Sequence, residues 1–167
     1  MEHIIKLIHH SANRGHNLPS GSLAAVRHCI ANKANYIEVD ICPTADGRWA
    51  LLHNPTLEGQ ATGEGRVDAH TAAELAAMHL VVDDHPTDEP VSFLHDLMAL
   101  IETSEYPLEL QLDLKAHSPL SVALLEGLVD ICRPLLSRIR ISSTADWALR
   151  RLAHIEPQLA LGFDPLA

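Results

Sequence analysis

Residues 108–115, Leu-Glu-Leu-Gln-Leu-Asp-Leu-Lys, alternate apolar and polar without a break. Successive side chains of a strand point to opposite faces, so Leu108, Leu110, Leu112 and Leu114 share one face while Glu109, Gln111, Asp113 and Lys115 share the other. Residues 36–41, Tyr-Ile-Glu-Val-Asp-Ile, follow the same rule: Ile37, Val39 and Ile41 face one way, and Tyr36, Glu38 and Asp40 the other. Two acids two positions apart on a strand are separated by about 7 Å. Burying both is costly unless a cation or a bound ligand compensates them. The first expectation is therefore a divalent metal site, and the first constraint on the fold is a set of strands whose polar faces are not simply solvated.

The rest of the chain supplies alternating strands and helices. Residues 4–10 read as a strand, followed by a polar loop, and Ser20 or Ser22 can cap a helix whose apolar positions Leu23, Val26 and Ile30 recur at helical spacing. The strand at 36–41 is followed by a turn at 44–47 and a third strand at 49–53. Residues 54–68 form a long glycine- and proline-bearing loop of the kind that carries function. Thr71 and Glu74 have the spacing of a capped helix start, and residues 82–90 read as an acidic, turn-rich connection. Helices are expected at about 91–103, 120–136 and 145–154, with strands at 108–114, 139–142 and 159–163. Strands alternating with helices of this length predict βα units and a parallel sheet. The expected class is α/β, of the (β/α)8 barrel type and shortened to about six strands. A closed barrel usually needs about 250 residues, against 167 here. A fragment, a partial barrel completed by association, or an open sheet would each satisfy that length. No dinucleotide or Walker loop is present.

Composition narrows the function classes. At 47% hydrophobic and 20% charged, the chain is expected to form one globular domain over residues 1–167. A formal net charge of −10 argues against nucleic acid or an anionic membrane surface as the principal partner. No stretch approaches a membrane-spanning length and no signal-like run opens the sequence, so a cytoplasmic protein without stable membrane insertion is expected. Cys29, Cys42 and Cys132 lack CxxC spacing and read as reduced thiols. Most of the 12 histidines, among them His28, His79, His95 and His154, read as helical residues without a special role.

Strand parity then gathers a constellation. If the polar faces turn into a barrel, His10, Glu38, Asp40, His53, Asp113 and Lys115 meet at one rim. Three carboxylates without a thiol suit a hard ion such as Mg²⁺ or Ca²⁺. A lysine and an arginine beside the ion suit a phosphate oxygen, and two histidines suit proton transfer.

The motifs Asn13-Arg14-Gly15, Pro19-Ser20-Gly21-Ser22-Leu23-Ala24-Ala25, Ala34-Asn35-Tyr36-Ile37-Glu38-Val39-Asp40, Thr44-Ala45-Asp46-Gly47, His53-Asn54-Pro55-Thr56-Leu57, Thr62-Gly63-Glu64-Gly65-Arg66-Val67 and Leu112-Asp113-Leu114-Lys115 stand in order. In this order and spacing the chain resembles the glycerophosphodiester phosphodiesterase family, metal-dependent hydrolases on a TIM barrel. The resemblance implies metal ligation by Glu38, Asp40 and Asp113, with Asp113 where the family has glutamate. It also implies phosphate contacts from Arg14 and Lys115, and His53 as one of a catalytic histidine pair. Asn13 falls where the family has its first histidine and cannot titrate; with a few residues inserted, His10 on the strand face fills that role, and His9 and His16 stand next in line. The implied reaction is hydrolysis of a small glycerophosphodiester to an alcohol and glycerol 3-phosphate. A phospholipase D-like lyase acting on lysophospholipids and a non-catalytic phosphate- or metal-binding protein are the alternatives. Self-association is left open.

Overall fold

The computed structural model describes residues 7–13 and 17–165. A five-stranded sheet organises them. Strand β1 (Tyr36–Pro43) pairs in parallel with β5 (Glu109–Leu114), β5 with β6 (Ile139–Ser143), and β6 with β7 (Ala160–Phe163). The short β2 (Trp49–Ala50) closes the other edge antiparallel to β1. A separate hairpin joins β3 (His79–Val82) and β4 (His85–Pro90).

Helices α1 (Leu23–Ala31), α3 (Leu94–Glu102), α4 (Val122–Cys132) and α5 (Asp146–Ile155) cover one face of the sheet, and the short α2 (Ala72–Ala76) precedes the hairpin. The covered face is the apolar one predicted by parity. Ile37, Val39 and Ile41 of β1, Leu110, Leu112 and Leu114 of β5 and Ile141 of β6 share one core with Val26, Leu97, Leu125, Leu128 and Leu152 from the helices. Leu112 is fully buried, so Leu112→Ala would cost about 2–5 kcal/mol through lost transfer energy and the cavity left behind.

Local chemistry sets the helix starts. The Ser22 hydroxyl accepts from the Ala25 amide, and Ser121 accepts from Leu124. Thr71 and Glu74 form a reciprocal capping box, as their spacing predicts.

The loop after β2 folds over a second apolar cluster that includes Cys42, Leu52, Leu57, Val67, Leu75 and Leu80. It is thereby a packed lobe rather than a free loop.

Some expectations change. Of the strand expected at 4–10, residues 4–6 lie outside the described residues. Its remaining part makes a single parallel bridge, His9 to Ile37, before turning into a 3₁₀ segment at His10–Ala12. Residues 82–90 are largely strand β4: the Asp83-Asp84 turn, with φ of 50° and 63°, returns the chain onto β3. His79 consequently sits in a strand, not a helix. The third strand shrinks to Trp49–Ala50 because the Leu51 amide bonds the Ser92 carbonyl instead of a neighbouring strand.

Candidate metal and phosphate site

The polar face of the sheet carries the site. Residues in register on parallel neighbours share a face, and the pairing runs Asp40 to Asp113 and Asp113 to Ser142, with Glu38 beside Gln111 one step earlier. Glu38, Asp40 and Asp113 are each at most 6% exposed. One carboxylate oxygen from each lies within 4.8 Å of the other two.

Each acid is held differently. Glu38 Oε2 accepts the Ser11 backbone N–H at 2.7 Å and lies 3.8 Å from His10 Nε2. Burial pushes the Glu38 carboxyl up to about 7, the charge of Asp40 adds to the rise, and the Ser11 amide and His10 oppose it. Asp113 accepts from the Ser142 hydroxyl through Oδ1 at 2.9 Å and pairs with Lys115 Nζ through Oδ2 at 2.6 Å. Burial alone would lower the Lys115 pKa. The bond to Asp113 and the charges of Asp40 and Asp113 outweigh that and raise it. Lys115 Nζ also pairs with Asp40 Oδ1, at 3.2 Å. Beyond that ion pair, among the described residues Asp40 Oδ1 is buried without a hydrogen-bond partner.

A buried carboxylate oxygen compensated only by an ammonium it shares with a second acid, beside a third, fits a hard divalent cation with oxygen ligands. The nearby Cys42 thiol donates to the Leu52 carbonyl at 3.1 Å, and burial pushes its pKa up to about 12.

The histidines arrive from the flanking segments. His10 begins the 3₁₀ turn, with a side chain that is 82% exposed, rather than ending a strand as parity predicts. The turn itself is tightly determined. Ser11 and Ala12 adopt φ of 50° and 52°, held by bonds from the Gly21 amide to Ser11 O and from the Cys29 thiol to Ala12 O. His9 points its backbone into the bridge with Ile37. Asn13 lies beyond the turn and is exposed. Arg14 and His16 lie outside the described residues.

His53 follows Leu52 on the loop after β2, and its Nδ1 lies 2.9 Å from Asn54 Oδ1. Its backbone is fixed by Gln60, whose Oε1 accepts from the His53 and Asn54 amides. The Gln60 Nε2 donates to the Asn54 and Thr56 carbonyls.

Cavities join these groups. One of 200 Å³ is lined by His10, Glu38, His53, Gln111, Asp113, Lys115 and Asp164. A second, of 360 Å³, reaches Asp40 and His53 from the side of Ser11, Gly21, Gln60 and the hairpin residues Val81 and Val82. A third, of 210 Å³, runs between His53, Lys115, His117 and Thr144. His53 borders all three.

Gln60, Ser142 and His117 escaped the sequence reading. Ser142 was legible, because Ile139 and Ile141 assign the opposite face of β6. His117 follows Lys115 by two positions, and burial together with the Lys115 and Arg66 charges pushes its pKa down. Nothing in the sequence marks Gln60.

By fold and site the chain is of the (β/α)-barrel type, part of such a barrel, with buried carboxylates, a lysine and histidines on the polar face of its parallel strands. Residues 14–161 match the family model described as the glycerophosphoryl diester phosphodiesterase family, and the chain belongs to that family. Mouse glycerophosphodiester phosphodiesterase 1 is 32% identical over 124 residues, covering 70% of this chain and 37% of the mouse protein.

Two solved structures share the fold. One is assigned as a glycerophosphodiester phosphodiesterase of Galdieria sulphuraria, with a TM-score of 0.83 at 21% identity, covering 96% of this chain and 64% of the other. The second is an Oleispira antarctica phosphodiesterase in complex with the product sn-glycerol-3-phosphate, with a TM-score of 0.74 at 21% identity, covering 95% and 65%. The chain thus spans about a third of the mouse relative and about two thirds of these structures. Among the described residues no helix is long and apolar enough to cross a membrane.

Proposed function

We propose that residues 1–167 form a single domain that hydrolyses glycerophosphodiesters to an alcohol and glycerol 3-phosphate. Glu38, Asp40 and Asp113 would hold Mg²⁺ or Ca²⁺. The observation that carries this reading is the buried three-acid cluster opening on a 200 Å³ cavity that His10, His53 and Lys115 also line. The bound ion would supply charge stabilisation at the phosphate oxygens.

The remaining work falls to the chain's own side chains. Lys115, and Arg14 from outside the described residues, neutralise the non-bridging phosphate oxygens. His10 takes the proton of the attacking hydroxyl, either from water or from the neighbouring glycerol hydroxyl by way of a cyclic phosphate. As the phosphorus–oxygen bond to the alcohol breaks, His53 gives a proton to the departing oxygen. The three free, buried cysteines accord with a cytoplasmic location.

The test is hydrolysis of a panel of glycerophosphodiesters by the chain, with and without chelator, alongside Glu38→Ala and His53→Ala. Turnover that needs the metal and is lost in both variants supports the reading. Full metal-dependent turnover in either variant overturns it. Cation binding without turnover on any diester selects the non-catalytic alternative, and release of the free headgroup alcohol with a cyclic phosphate left on the glycerol side, in place of the open monoester, selects the lyase.

A further inference from the structure

Gln111, Ser142 and Asp113 form a directional chain of hydrogen bonds. Gln111 Nε2 donates to Ser142 Oγ at 3.0 Å, and Ser142 Oγ donates to Asp113 Oδ1 at 2.9 Å. An amide nitrogen only donates, so it must use a lone pair of the serine oxygen, and the single hydroxyl proton is then free to point at the carboxylate. Lys115 Nζ occupies the other side, at Oδ2. An ionised carboxylate offers about four lone-pair sites, and these two bonds leave one on each oxygen for a cation.

The residue identities fit this arrangement. Asp113 and Ser142 are register partners on adjacent parallel strands, and strands stand about 4.8 Å apart, so two short side chains meet directly. The glutamate of the family motif would carry its carboxylate a methylene past the serine hydroxyl, whereas aspartate keeps it level. Ser142 and Asp113 are 4% and 5% exposed, so water does not substitute for the relay.

We propose that Ser142 and Gln111 are positioning residues for cation binding: together they fix the orientation of Asp113 as the third ligand, Ser142 by direct contact and Gln111 by setting the direction of the serine proton. The proposal rests on the metal-site reading above. Partners of this kind, behind a ligating carboxylate, typically govern metal affinity by about 10–100-fold.

Calorimetric titration of the chain with MgCl₂ and with CaCl₂ tests it, at a pH above 7 and a temperature at which unfolding in chelator shows every variant to be folded. Ser142→Ala should weaken the cation Kd by about 10–100-fold. Gln111→Met, which keeps the volume but loses the donor, should weaken it by a smaller factor, roughly threefold to tenfold. Ser142→Thr, which retains the hydroxyl, should restore binding. A role confined to folding would move the unfolding midpoint and leave Kd unchanged. If Ser142→Ala does not fold, Gln111→Met at its half-buried position decides alone. Variants that bind like the unsubstituted chain overturn the relay and leave the metal site standing. An unsubstituted chain that binds neither ion overturns both.

Discussion

The ammonium of Lys115 pairs with two buried carboxylates at once, 2.6 Å from Asp113 Oδ2 and 3.2 Å from Asp40 Oδ1. The lysine is thus the resident counter-charge of a carboxylate cluster, and a cation entering the cluster must share Asp40 and Asp113 with it. Lys115→Met should lower the stability of the metal-free chain by about 3 kcal/mol, because buried acids lose their partner. The same change should tighten Mg²⁺ or Ca²⁺ binding about tenfold, since a competing positive charge is gone, while turnover disappears with the phosphate contact. Unfolding in chelator and cation titration check the two signs; unchanged or weaker cation binding would show that the lysine does not compete.

Glu38 ties the site to pH. Its carboxyl is pushed up to about 7 from the ordinary 4.5, so between those values the folded chain holds a proton that the unfolded chain has released. The stability this group contributes is full below about 4.5, declines as pH rises and is gone above about 7, a swing on the order of 3 kcal/mol for the metal-free chain. Cation affinity runs the opposite way, rising with pH and levelling off above about 7. Near pH 6 binding should expel a proton, visible as a dependence of the titration heat on the buffer's ionisation enthalpy. Equal heats in all buffers at that pH would contradict it.

Gln60 uses both ends of its amide to hold the backbone on which His53 sits. Gln60→Ala should cost about 1 kcal/mol, because these bonds are exposed or half-buried and water takes up much of what is lost. It should reduce turnover more than cation affinity, because the acids belong to β1 and β5 and stay in place. Paired measurements of kcat and cation Kd separate these outcomes; equal losses in both would assign Gln60 to the fold as a whole.

The thiols offer a control on packing. Burial pushes Cys42 and Cys132 up to about 12, and Cys29 is buried as well. A thiol reagent at pH 8 should label none of the three in the native chain and all three in denaturant. Rapid native labelling of Cys42 would mean that the lobe over the site opens readily.

Sequence reading reached the sheet wherever side-chain period and burial agree. The alternation at residues 36–41 and 108–114 placed Glu38, Asp40 and Asp113 on one face, because a parallel sheet under helices forces every second residue inward. It failed where the backbone, not the side chains, decides. Strand β4 is a largely exposed segment paired to β3 through a turn with two aspartates at positive φ, and its proline- and acid-rich sequence carries no apolar alternation. His10 was placed on a strand by parity, yet the left-handed Ser11 and Ala12 end that strand early and bring the imidazole toward Glu38 by a turn. Gln60 binds only main-chain atoms, which any sequence supplies, so no residue pattern announces it.

Asp40, Asp113 and Ser142 lie in one row across three strands. A slip of one residue between β1 and β5 would set Leu112 or Leu114 beside Asp40 and turn the acid of β5 to the other face. Cation binding would then be a register gauge: during refolding, the moment at which the chain first captures an ion would date the correct alignment of its central strands.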